Sequence, residues 1–135
     1  MNFRGKILLT DDEAHIRKFV SLVLKQCGAT TVLEASDGAM AVAMFEQHKP
    51  DLVLLDVNMP HLDGLQTLGR LMQIDPDAVV VMLTSLTNRR TVEECLRLGA
   101  AGYIRKDIPR EELLVQLQRI IQESFGDEPV PPAAS

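Results

Sequence analysis

The stretch Leu52–Leu65, LVLLDVNMPHLDGL, decides how the chain is read. Together with Asp51 it opens on DLVLL, a nearly unbroken apolar run of the kind found in a central strand covered on both faces. The run closes on a carboxylate, Asp56, and passes through MP-x-x-DG. It then enters a helical pattern over Gly64–Ile74, with Leu65, Leu68, Leu71 and Met72 on one side.

The same alternation of short apolar run and amphipathic stretch extends in both directions. Lys6–Thr10 (KILLT) reads as a first strand, and Glu13–Cys27 as a helix with Ile16, Phe19, Val20, Val23, Leu24 and Cys27 on one face. Gly28 closes that helix, because a residue without Cβ takes up the left-handed turn at a helix end. Thr30–Ala35 is a second strand, and Asp37–His48 a second helix with Met40, Ala43 and Met44 expected to face inward. Asp75-Pro76 ends the third helix. Ala78–Leu83 is the fourth strand, Asn88–Leu98 the fourth helix and Ala101–Arg105 a short fifth strand. A last helix starts near Pro109, with Glu111 and Glu112 suited to its positive end and Leu113, Leu117, Ile120 and Ile121 as its core face. Five such units predict an α/β fold: a five-stranded parallel sheet, helices on both faces and right-handed crossovers. Residues 1–125 form one domain on this reading, and 126–135 (GDEPVPPAAS) an expected disordered tail or linker stub.

Composition narrows the function. Asp and Glu outnumber Lys and Arg by 19 to 14, for a net charge of -5, which argues against direct nucleic-acid binding. Aromatic residues at 4% are too few for a base-stacking platform. No apolar run has the length of a membrane span, and the acidic N-terminal stretch does not suit a signal peptide, so a cytoplasmic protein is expected. Cys27 and Cys95 lie far apart on apolar helix faces and read as buried thiols.

In an open parallel sheet ligands bind beyond the carboxyl ends of the strands. Asp11 and Asp12 follow strand one, Asp56 and Asn58 strand three, Thr84 strand four and Lys106 strand five. Taken singly, each has an ordinary reading: helix cap, loop cap, packing residue, surface lysine. Their coincidence at four strand ends carries the inference. Clustered carboxylates invite a hard cation such as Mg2+. An aspartate beside it can act as a nucleophile and form an acyl phosphate. A lysine and a hydroxyl can then compensate the charge of the transferring oxygens.

The strings ILLTDDE, LVLLDVNMPHLDGL, VVVMLTS and GAAGYIRKD resemble the CheY-like receiver domains of bacterial two-component response regulators, and the resemblance runs from about Lys6 to Phe125. The resemblance implies the flavodoxin-like strand order 2-1-3-4-5, an order that general accounts of doubly wound folds already give for CheY. It implies Asp56 as the phosphorylation site and Mg2+, with Mn2+ as a substitute, bound by Asp11, Asp12, Asp56 and the Asn58 carbonyl. Thr84 and Lys106 would hold the phosphoryl group. Thr84 and Tyr103 would form a switch that alters the surface of the fourth helix, fifth strand and fifth helix. The implied partners are a sensor histidine kinase or histidine phosphotransfer protein and an output protein on that surface, with a phosphorylation-dependent dimer as a further possibility. The implied role is a signalling switch with slow self-catalysed phosphoryl transfer and hydrolysis.

One position departs from the pattern. Asp107 stands where many receivers carry proline, so a trans bond is expected after Lys106. A Lys-Asp pair is shared with receivers attached to DNA-binding output domains, which keeps open a longer regulator. Asn58 and Leu86 border the path of hydrolytic water in this family. His61 reads as an exposed loop residue and Arg89-Arg90 as a solvated face. A phosphatase of the haloacid dehalogenase type would want a second aspartate where Asn58 stands, and a flavin carrier would want a phosphate-cradling loop where Thr10-Asp11-Asp12-Glu13 would repel phosphate.

Overall fold

Strand β3 (Leu52–Asp56) lies at the centre and is buried along its whole length. In this computed structural model residues 5–29, 31–59, 62–85 and 89–125 are described. The other elements are β1 (Lys6–Thr10), α1 (Ala14–Gln26), β2 (Thr31–Ala35), α2 (Gly38–His48), α3 (Gly64–Ile74), β4 (Val80–Thr84), α4 (Arg89–Arg97), β5 (Gly102–Arg105) and α5 (Arg110–Phe125). The sheet is parallel throughout in the order β2-β1-β3-β4-β5, as the family resemblance implied.

Alternation along the strands builds two apolar layers. Leu52 and Leu54 of β3 join Ile7, Leu9, Val81, Leu83 and Ile104 against Val20, Val23 and Leu24 of α1 and Leu113, Leu117 and Ile121 of α5. Val53 and Leu55 face the other way, with Leu8, Val80 and Met82, against Ala41 and Phe45 of α2, Leu68 and Leu71 of α3 and Cys95 of α4. Each fully buried Leu, Ile or Val contributes roughly 1.5–3 kcal/mol over an exposed one. The successive side chains of DLVLL thus stabilise both layers. Both cysteines are buried, as expected.

The ends of the elements follow local chemistry. Gly28 has φ 97 past the end of α1. Asp63 caps α3 by accepting from Gln66 N–H, while the Gln66 side chain accepts from Asp63 N–H. No peptide bond among the described residues is cis, so Lys106–Asp107 is trans as expected.

Three expectations need correction. In α2 the inward residues are Gly38, Ala41 and Phe45, whereas Met40 and Ala43 are exposed and Met44 is half-buried. The cause is the cap: the Asp37 carboxylate accepts from Met40 N–H, and the helical phase that follows turns Ala41 and Phe45, four apart, to the sheet. The fourth strand begins at Val80 rather than Ala78, because Ala78 N–H is taken by Asp75 carbonyl in the turn after α3. In α5, Ile121 is fully in the core but Ile120 only packs at its margin. Thr30, His61, Leu86, Asn88 and residues 126–135, which carried expectations, lie outside the described residues.

Candidate functional site

The strand order reverses direction between β1 and β3, so the loops leaving those neighbouring strands part company and open a crevice at their carboxyl ends. Asp11 and Asp12 leave β1 and Asp56 closes β3 at this edge. The last backbone bonds of the sheet bring the remaining residues in. Val57 N–H donates to Leu83 carbonyl, and Lys106 N–H to Thr84 carbonyl at 2.8 Å, extending the β4–β5 ladder one residue past its end. Lys106, far along the chain, is thereby aimed back over the crevice.

Its ammonium donates to Asp11 Oδ2 at 2.9 Å, lies 3.2 Å from Asp56 Oδ1 and stands 3.8 Å from Glu13 Oε1. Asp11 and Asp56 are buried at 0% and 1% exposure, and Asp12 is exposed. One carboxylate oxygen from each of Asp11, Asp12 and Asp56 falls within 4.8 Å of the others. Asp11 Oδ1 accepts Glu13 N–H, and Asp56 Oδ1 also accepts Asn58 N–H at 3.2 Å. Asp56 Oδ2 is buried without a hydrogen-bond partner.

Electrostatics follow from this packing. Burial, reinforced by the charge of Asp11 and only partly offset by Lys106, pushes Asp56 up to about 7 from the ordinary 3.8. For Lys106, burial alone would lower its basicity. The hydrogen bond to Asp11 and the charges of Asp56 and Asp11 outweigh that, and its pKa lies above the usual lysine value. Near neutrality Asp56 is therefore only partly ionised, and a divalent cation beside it would favour the carboxylate form. The donor set is all oxygen and one buried oxygen has no partner, which fits a hard cation such as Mg2+.

Of the residues singled out in the sequence, Asp11, Asp12, Asp56 and Lys106 come together. Thr84 is buried at the end of β4 and tied to Lys106 through its carbonyl. Asn58 sits beside Asp56 with its backbone N–H engaged. Tyr103 does not join the cluster: it is 44% exposed and lines a shallow groove with Leu96, Gly102, Gln116 and Ile120. Among the described residues no histidine belongs to a metal-ligand grouping.

Three contributors were not singled out. Glu13 adds a third acid near Lys106, Arg17 donates to the Asp11 carbonyl, and Gly64 lets α3 approach the site. A Cβ on Gly64 would collide with the Asp56 carbonyl and lie 2.6 Å from Val57 Cα. In the sequence Gly64 reads as the first residue of the third helix, with no reason given for a glycine there. Its placement just after the site strand was the available signal.

Comparison with known proteins agrees with this geometry. The family model described as response regulator receiver domain matches residues 7–118. The chemotaxis protein CheY of Bacillus subtilis is 32% identical over 116 residues, which are 86% of this chain and 97% of that protein. NtrX from Brucella abortus superposes with a TM-score of 0.82 at 30% identity, covering 91% of this chain but 28% of that one. A chain of the CheX–CheY–BeF3–Mg2+ complex from Borrelia burgdorferi superposes with a TM-score of 0.81 at 29% identity, covering 89% of this chain and 88% of that one. The chain thus spans nearly all of one relative and just over a quarter of another.

Proposed function

Because the chain belongs to the response regulator receiver domain family of two-component signalling, we propose that its module, residues 1–125, accepts a phosphoryl group on Asp56 and switches a partner surface. The observation that carries this reading is the placement of one largely covered ammonium between two buried carboxylates, Asp11 and Asp56, with Asp56 Oδ2 left unpartnered.

Asp11, Asp12, Asp56 and the Asn58 carbonyl would hold Mg2+, or Mn2+ in its place. When bound, the cation balances the clustered carboxylates and draws charge from the phosphoryl oxygens. An Asp56 oxygen attacks phosphorus of a phosphohistidine on a histidine kinase or phosphotransfer protein. The O–P bond forms as the P–N bond breaks, and the departing imidazole keeps the electron pair and takes a proton from solvent. Lys106 moves its hydrogen bond from Asp11 or Asp56 to a phosphoryl oxygen, and the Thr84 hydroxyl serves another. Hydrolysis of the acyl phosphate by water resets the module, so the role is a slow self-catalysed switch.

Phosphorylation draws Thr84 toward the new anion, and Tyr103 turns inward into the space it leaves. The α4–β5–α5 face then presents a different surface to an output protein or to a second copy of the chain. Phosphorylation on this reading biases two existing arrangements. No described helix is long and apolar enough to cross a membrane; the cytoplasmic setting rests on membership of the receiver family.

A second form of the same reading is a receiver within a longer regulator, favoured by the Lys106-Asp107 pair. A haloacid-dehalogenase-type phosphatase is disfavoured by Asn58 at the position of the required acid. The test is incubation with acetyl phosphate and MgCl2 followed by intact mass measurement. One phosphoryl group is gained by wild type and none by Asp56→Ala. A gain that survives Asp56→Ala means the acceptor is another residue.

A further inference from the structure

Arg17 lies one turn into α1, and side chains on a helix lean toward its N-terminus, so its guanidinium folds back over the β1–α1 loop. One terminal nitrogen donates to the Asp11 carbonyl at 2.6 Å, and Nε donates to Glu34 Oε1 at 3.1 Å. Glu34 pairs with Leu9 in the β1–β2 register, which puts it on the α1 side of the edge strand. The Arg17 side chain is 18% exposed and that of Glu34 44%, so the bridge is covered at its Arg17 end and open to solvent at Glu34. From the other side, Asp11 N–H donates to Ala35 carbonyl at 3.2 Å.

Every polar group of Asp11 is therefore engaged. Its N–H is held by β2, its carbonyl by Arg17, Oδ1 by Glu13 N–H and Oδ2 by Lys106. The Asp11 carbonyl belongs to the peptide that leads into Asp12, so whatever fixes that carbonyl fixes the direction in which the Asp12 carboxylate departs. A buried carbonyl beyond the end of a strand ladder has no sheet partner, and Arg17 supplies one.

The geometry points to Arg17, braced by Glu34, as a positioning residue that fixes the Asp11–Asp12 peptide so that both carboxylates face Asp56. This rests on the reading of that cluster as a Mg2+ site. Charge and positioning make opposite predictions. A guanidinium near a cation site repels the cation, so on charge alone its removal tightens binding. If Arg17 positions the ligands, its removal weakens binding despite the relief of repulsion.

The experiment is calorimetric titration of MgCl2 into wild type, Arg17→Ala, Arg17→Lys and Glu34→Gln, well below the melting point of each metal-free variant. Amide hydrogen exchange of Asp12 and Glu13 is followed in the same metal-free samples. Arg17→Ala is expected to raise the Kd about tenfold, as loss of outer partners of metal ligands does, and to speed exchange at Asp12 and Glu13. Arg17→Lys, with one donor group for two acceptors, recovers part of the affinity, and Glu34→Gln loses less than Arg17→Ala. A Kd for Arg17→Ala equal to or tighter than wild type overturns the positioning role. If Arg17→Ala does not fold, wild-type affinity in both Arg17→Lys and Glu34→Gln overturns it instead. Wild type that takes up no Mg2+ overturns the metal reading itself, a result distinct from wild type that binds while its Arg17 variants bind equally well.

Discussion

The rim at the carboxyl ends of the strands and the face made by α4, β5 and α5 both carry charge, but they handle it in opposite ways. At the rim Asp11 and Asp56 are buried, Lys106 is largely covered, and the three are joined by hydrogen bonds and short ion pairs. On the α4–β5–α5 face the pairs Arg105–Asp107, Arg89–Glu93 and Arg97–Glu94 are exposed and local, joining residues no more than four apart. Buried charge of this kind cannot be ignored by the fold, because desolvation makes each proton or ion gained or lost costly. Exposed pairs are screened and contribute little. The difference teaches where a small chemical event registers as a large change in free energy, and where the outcome can be displayed without endangering the fold. β5 joins the two: Tyr103 lies on the face and Lys106, three residues on, at the rim.

The comparison breaks most visibly if Lys106→Met is tolerated. Removing the one cation between two buried carboxylates should cost about 3 kcal/mol of metal-free stability at pH 8, and less at pH 5, where Asp56 is protonated. Urea unfolding at the two pH values checks it, and equal losses would mean the rim is not electrostatically special. Nearly as large is Gly64→Ala, whose Cβ meets the Asp56 carbonyl and Val57 backbone. A loss of about 2–3 kcal/mol in the same assay is expected, together with weaker Mg2+ binding.

The contrast also shows through pH, where the full effect is comparable to that of either substitution. Folding raises Asp56 from the ordinary 3.8 to about 7, so the folded state holds the proton more tightly than the unfolded chain. The stability this contributes is complete below about pH 4 and is lost as pH rises to about 7, at up to about 1.4 kcal/mol per pH unit. The difference between metal-free wild type and Asp56→Asn isolates it, and saturating Mg2+ should abolish it. Smaller is the coupling along β5. Tyr103 is the sole tyrosine in a chain without tryptophan, so its emission and ring resonances report on it alone. Adding beryllofluoride with Mg2+ should shift them, and an unchanged Tyr103 rotamer would separate rim from face. At the bottom of the scale stands Asp107→Ala. The Arg105 hydrogen bond holds the Asp107 carboxyl below the usual carboxylate range, yet both groups are exposed, and no resolvable change in the unfolding midpoint is expected.

Much of this arrangement was legible in the chain itself. DLVLL announced a strand covered on both faces, and alternate residues do serve the two layers. Acidic, hydroxyl and lysine residues at four strand ends were enough to pick out the rim. Three things were not legible. Strand order came from family resemblance, since periodicity says that strands exist without saying which are neighbours. The inward face of α2 depended on the Asp37 cap, and the larger methionines were poor guides beside Ala41 and Phe45. Arg17 and Gly64 act through backbone atoms of other residues, a role that neither charge nor hydropathy reveals.

The bond from Lys106 to Asp11 joins residues 95 positions apart and draws on the last strand to enter the sheet. A ribosome that has released only the first four strands has made every acid of the crevice and none of its ammonium. Such an unfinished chain lacks the ammonium that partners Asp11 and Asp56. The rim's network of charges is therefore complete only once the final strand has been made and has docked against β4.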